Sequence, residues 1–166
     1  MTDGLDLGLG DQARAIAAGD VDPAELLDEC LERIEERNPE LNAVVATFPE
    51  ESRRMLAEAP DGPLRGVPVM IKDEWPLPWR AQRFGAADLL ANPQPGESAP
   101  YVALREAGAV IVGVGNMHEL GSGSTGAISV YGAAHNPWDI ERCPGGSSSG
   151  PAASVAGRLV AGAVGA

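Results

Sequence analysis

Two short apolar runs constrain the fold most. The first is Val67-Pro68-Val69-Met70-Ile71, bounded by Gly66 and the charged pair Lys72-Asp73. The second covers residues 109–114. Their β-branched content and their boundaries read as buried strands. Between them a helix is expected over Ala99–Glu106, ending at Gly108. Strands separated by helices predict an α/β fold, with a mixed, mostly parallel sheet flanked by helices. The turn Gly115-Asn116 then falls at the C-terminal end of the second strand, where open α/β sheets place their ligands.

The N-terminal part reads as helical with one strand. Residues 11–18 form a short helix stopped by Gly19. A longer helix begins at Pro23, with Asp22 as its cap and an acidic first turn. Leu27, Leu31 and Ile34 share one face with Cys30 beside them, and the helix is expected to end near Asn38-Pro39. Residues 42–48 read as a strand, 50–59 as a helix, 60–63 as a loop, and 73–83 as a Trp- and Pro-rich surface loop. This divides the chain into a helical segment with one strand (1–60) and the first part of an α/β core (61–166). The two make one domain, incomplete in this chain. No internal repeat is visible.

Two segments carry candidate chemistry. Cys143-Pro144-Gly145-Gly146-Ser147-Ser148-Ser149-Gly150-Pro151-Ala152-Ala153-Ser154 places three serine hydroxyls on a glycine-rich turn ahead of an apolar helix. By itself such a cluster is most often a flexible loop; the other readings are an anion-binding helix N-terminus or a serine catalytic loop. Lys72 closes the first strand; a lysine there is ordinarily solvated through a snorkelling stem. Taken together, the two segments suggest a Ser-Lys arrangement, a known variant of triad chemistry.

Four motifs in order then resemble the amidase signature family. They are Gly66-Val67-Pro68-Val69-Met70-Ile71-Lys72-Asp73, Gly113-Val114-Gly115-Asn116-Met117-His118-Glu119-Leu120, Asn136-Pro137-Trp138-Asp139 and Pro144-Gly145-Gly146-Ser147-Ser148. The resemblance runs from the helix at Pro23 to Ala166. It implies a Ser-Ser-Lys triad for hydrolysis of linear amide C–N bonds. Lys72 falls on the base and Ser147 on the bridging serine, whose preceding peptide bond is cis in the family. Ser148 falls on a supporting serine near the lysine. Gly121 and Gly123, in Leu120-Gly121-Ser122-Gly123-Ser124-Thr125-Gly126, fall on a substrate-side loop whose carbonyls face the scissile group. The nucleophilic serine follows the bridging serine by about two dozen residues, in a motif like D-x-G-G-S. The sequence given reaches Ala166 ahead of that position, so the chain is expected to be inactive alone.

The match departs after Lys72. Trp79 stands near a usual glycine, and Gln82 and Arg83 stand near usual threonines. His118 and His135 are the only histidines. Neither has a metal-ligand spacing, and His118 is expected at the surface. No metal and no cofactor is implied. The net charge of −12 argues against nucleic acid and acidic membranes as partners. Cys30 and Cys143 make no disulfide framework. Residues 1–10 carry no leader pattern and no apolar stretch is long enough to span a membrane, so a cytoplasmic location is expected. The implied partner is a small-molecule amide substrate in the complete enzyme. Three readings stand: an amidase piece, a non-catalytic product completed by a C-terminal half or a second copy, and an amidotransferase A subunit. The Met117-His118-Glu119-Leu120 segment leans towards the stand-alone amidases.

Overall fold

The computed structural model describes residues 4–87 and 94–166. The first three residues of the segment read for a leader lie outside it.

The chain enters through α1 (Leu9–Ala18), which stops at Gly19. That glycine takes the left-handed conformation (φ 79°) and its N–H caps Ala15 and Ile16 carbonyls. Helix α2 (Pro23–Leu41) opens as its sequence dictates: Asp22 Oδ1 accepts from the Ala24 N–H at 2.7 Å, and Pro23 fills the first position. Its buried face is Leu26, Leu27, Cys30, Ile34 and Leu41.

The helix does not end at Asn38-Pro39, as expected, but passes through Pro39 to Leu41. A proline in the last turn sacrifices a single backbone bond. The end is held by other means. Asn42 adopts φ 46° and returns its N–H to the Asn38 carbonyl. The Asn38 side chain exchanges two hydrogen bonds with the Val44 backbone, at 2.8 and 2.7 Å.

Strand β1 (Val44–Thr47) leads into α3 (Pro49–Ala57), and β2 (Pro68–Lys72) follows. Helix α4 (Ala99–Glu106) is capped by Ser98 and precedes β3 (Val110–Gly115). Helix α5 (Ser149–Ala156) and the short β4 (Ala163–Val164) complete the order.

The sheet runs β1-β3-β2-β4. β2 is parallel to both β3 and β4, while β1 is antiparallel to β3. This is the mostly parallel sheet that the alternating strands and helices predict. Every residue of β2 and β3 is buried, as expected of central strands covered on both faces. β1, from the N-terminal part, lies at one edge of this same sheet, so 1–60 and 61–166 share one core.

The segment after Lys72 is not the surface loop expected from its Trp and Pro content. Leu77 is fully buried, and Trp75 and Trp79 pack on the core. Trp79 meets Phe48 and Tyr101 edge-on, with ring centroids 5.9 and 5.7 Å apart. Such pairs bury large apolar area with defined geometry, and that outweighs the turn-forming composition. No helix among the described residues is long and apolar enough to cross a membrane.

Candidate active site

The site lies where β2 and β3 end side by side. Their register sets Lys72 opposite Gly115, so the lysine stem runs beside a residue with no side chain. Lys72 is not solvated: its side chain is 1% exposed. Its Nζ donates to Ser147 Oγ at 2.8 Å and to the Ala166 carbonyl at 3.2 Å. Glu74 Oε2 stands 2.8 Å away in an ion pair. Three acceptors meet the three donors of an ammonium.

The serine run crosses over this lysine. The Gly146–Ser147 peptide bond is cis. The Ser147 carbonyl accepts from the His118 N–H at 3.0 Å. Ser148 does not touch Lys72 directly. Its hydroxyl donates to the Ala166 carbonyl at 2.9 Å and accepts from the Ala166 N–H at 3.1 Å. Lys72 and Ser148 thus share one carbonyl as acceptor.

The loop holding Gly121 and Gly123 lies against the same turn. A Cβ on Gly146 would stand 2.7 Å from the Gly123 carbonyl oxygen and 2.8 Å from the Gly126 nitrogen. A Cβ on Gly123 would stand 2.3 Å from the His118 ring. Both contacts are closer than side chains permit, so glycine at 146 lets the two loops touch backbone to backbone and glycine at 123 lets its loop rest on the imidazole. Gly121 has open surroundings and is glycine for its left-handed φ of 69°.

Asn116 joins these parts to the sheet. It is fully buried and every polar atom of its side chain is used. Nδ2 donates to Asn42 and Gly132 carbonyls, both at 3.0 Å, and Oδ1 accepts from the Met117 N–H and Ser129 Oγ, both at 2.8 Å. Its backbone carbonyl accepts from the Gly150 N–H at 2.7 Å, which fixes the start of α5 beside β3.

Two residues escape a reading of motifs. His118, expected at the surface, is 8% exposed, and its Nδ1 is buried with no hydrogen-bond partner among the described residues. Its ring is the wall on which Gly123 rests, so burial follows from the loop folding back over it. Glu74 lies just outside the motif that ends at Asp73. It stands in the turn that follows β2, where no strand period applies, so only the path of that turn brings it beside Lys72.

Asp73 faces the other way. Fully buried, it pairs with Arg80, and its Oδ2 accepts from the Gly85 N–H at 3.3 Å. Arg80 also donates to the Tyr131 hydroxyl at 3.2 Å. Burial pushes the Tyr131 phenol above its ordinary range; the Asp73 carboxylate adds to this and Arg80 opposes it.

Known proteins share this fold. The sequence model of the family described as Amidase matches residues 25–166. The chain belongs to the amidase family. One curated relative of this amidase-family chain is the A subunit of the glutamyl-tRNA(Gln) amidotransferase of Halorhodospira halophila. It is 40% identical over 159 residues, which cover 91% of this chain and 33% of that protein. Among solved structures, a 6-aminohexanoate cyclic dimer hydrolase complexed with substrate superposes with a TM-score of 0.86 at 31% identity. The match covers 94% of this chain and 33% of that one. The A subunit of the glutamyl-tRNA(Gln) amidotransferase of Thermotoga maritima superposes with a TM-score of 0.84 at 27% identity, covering 99% of this chain and 35% of that one. The amidase-family chain thus spans about a third of the length of the curated relatives it matches.

Proposed function

We propose that these residues form the base side of an amide C–N hydrolase, with Lys72 as base and Ser147 as the bridging hydroxyl. The single observation that carries the reading is the 2.8 Å contact between Lys72 Nζ and Ser147 Oγ inside a family match. A serine hydroxyl is a weak nucleophile until a base takes its proton. Neutral Lys72 takes the Ser147 proton while Ser147 takes that of a nucleophilic serine. The relay then reverses to protonate the leaving amine. The contact distance suits proton transfer in either direction.

On this reading the nucleophile and the backbone donors that hold the oxyanion belong to the part of the family's length that residues 1–166 do not span. Ser148 positions the segment at Ala166. The loop at Gly121 and Gly123 turns carbonyls towards the substrate amide. The substrate is a small linear amide, the reaction needs no metal or cofactor, and the protein works in the cytoplasm.

Two assays test it. The 166-residue chain alone turns over no amide substrate. Joined to a following segment with a D-x-G-G-S motif, the protein hydrolyses amides, and Lys72→Ala or Ser147→Ala lowers kcat/KM by about a thousandfold or more. Unchanged turnover in either variant overturns the assignment.

A second reading has its own observation. Several curated relatives are amidotransferase A subunits, and Trp138 is 83% exposed, with Ile128 and Ile140 also exposed. In that role the protein releases ammonia from an amide donor within a multi-subunit assembly. Ammonia release that rises on adding partner subunits distinguishes it from a stand-alone amidase.

A further inference from the structure

Lys72 is the only lysine in the sequence. Its burial raises a question the triad does not answer. A lysine must shed a proton before it can accept one from Ser147, and a shed proton needs a route to water. Among the described residues two side chains hold Nζ: Ser147 Oγ and Glu74 Oε2, each at 2.8 Å.

The surroundings narrow the choice. The elements packed on β2 include β3, β4 and α5, and none of these carries a titratable side chain. α2 also packs there and presents Cys30 to the core, where its thiol donates to the Leu159 carbonyl at 3.1 Å. Asp73, next in sequence, is fully buried and held by Arg80. His118 meets Ser147 through its backbone N–H. Glu74 is the one side-chain acid among these that is both in contact with Nζ and open to water, with a quarter of its side chain exposed; the third oxygen on Nζ is the main-chain oxygen of Ala166 at 3.2 Å.

We propose that Glu74 is the group through which Lys72 exchanges its proton with water. This rests on the reading of Lys72 as the base. In the step, one N–H bond of the Lys72 ammonium breaks and its electron pair stays on Nζ. The proton forms an O–H bond on Glu74 Oε2. The carboxylic acid then passes the proton to water and returns to carboxylate. Lys72 is left neutral, in contact with the Ser147 hydroxyl. Glu74 acts through Lys72 and touches no reacting atom of the substrate, so it is a positioning and relay residue.

The single lysine makes the test direct. In the 166-residue chain labelled with 15N-lysine and amidated at Ala166, so that no terminal carboxylate stands beside Nζ, one side-chain signal reports exchange of the Nζ protons with water. Glu74→Gln keeps size and one acceptor oxygen but cannot carry the proton. It is expected to slow exchange about tenfold or more, while Ser147→Ala leaves the rate within about twofold. An unchanged rate in Glu74→Gln overturns the proposal, and so does slowing in Ser147→Ala instead. If the amide spectrum of Glu74→Gln loses its dispersion, Glu74→Asp is the second variant; its shorter reach should slow exchange in the same direction, and an unchanged rate there overturns the proposal too. Failure of the functional reading shows separately, as amide hydrolysis that survives Lys72→Ala in the longer protein.

Discussion

Lys72 Nζ and Ser147 Oγ stand 2.8 Å apart although 75 residues of sequence separate them. The contact joins the end of a central strand to a loop that arrives after another strand and a long crossing segment. Replacing the lysine therefore separates chemistry from folding. Lys72→Met keeps the stem and removes the three donated contacts. Glu74 retains water contact, so no fully buried charge is stranded, and stability should change by less than about 2 kcal/mol. Urea unfolding of this chain checks the stability, and hydrolysis by the longer protein is expected to be lost.

Asp73 and Arg80 behave differently because the carboxylate has no water to fall back on. Arg80→Met leaves Asp73 buried and uncompensated, and is expected to destabilise by about 3–5 kcal/mol. The double variant Asp73→Asn/Arg80→Met should recover part of that loss. Equal destabilisation of the single and double variants in urea melts would show that the ion pair is not the cause.

Gly123 and His118 should couple strongly. A methyl at 123 would fall 2.3 Å from the imidazole, so Gly123→Ala is expected to cost about 1–3 kcal/mol by overpacking. Gly123→Ala placed on a His118→Ala background should cost much less. A double-mutant cycle reads the interaction, and additive costs would refute the contact.

Cys30 offers a pH test. Burial pushes its thiol up from 9.0 to about 12, with the Arg33 charge opposing. The folded state holds the proton more tightly than the unfolded state. This contribution is complete below about pH 9 and is lost as pH rises towards 12. Over that window the stability of the chain should fall by about 1.4 kcal/mol per pH unit from this group. Cys30→Ala should flatten the slope measured by urea melts between pH 9 and 11, where an unchanged slope counts against the assignment. At neutral pH the exposed Cys143 reacts with a thiol reagent, and Cys30 reacts only on unfolding.

The elements were legible wherever local chemistry decides them. Asp22 caps its helix through a side-chain oxygen, Gly19 stops α1 through a left-handed φ, and the β-branched runs became β2 and β3. The motifs singled out Lys72, Ser147, Ser148, Gly121 and Gly123 as residues without setting them beside one another. Composition misled at residues 73–83, because Trp and Pro signal a turn locally while the rings of Trp75 and Trp79 gain more by packing on the core. It misled at Pro39, where the left-handed Asn42 and the Asn38 side chain end the helix after the proline rather than at it. It misled at His118, whose burial depends on where the 121–126 loop lands.

The sequence by itself therefore determined the order and type of the elements and the family, because caps, left-handed glycines and apolar periodicity act within a few residues. Only the tertiary structure decided which groups share the site. The pairing of β2 with β3 carries Lys72 beside Gly115 and into the path of the serine run, and the backbone-to-backbone approach of Gly123 and Gly146 closes the loops over it. Those distances depend on register and burial across the whole fold, which no local pattern specifies.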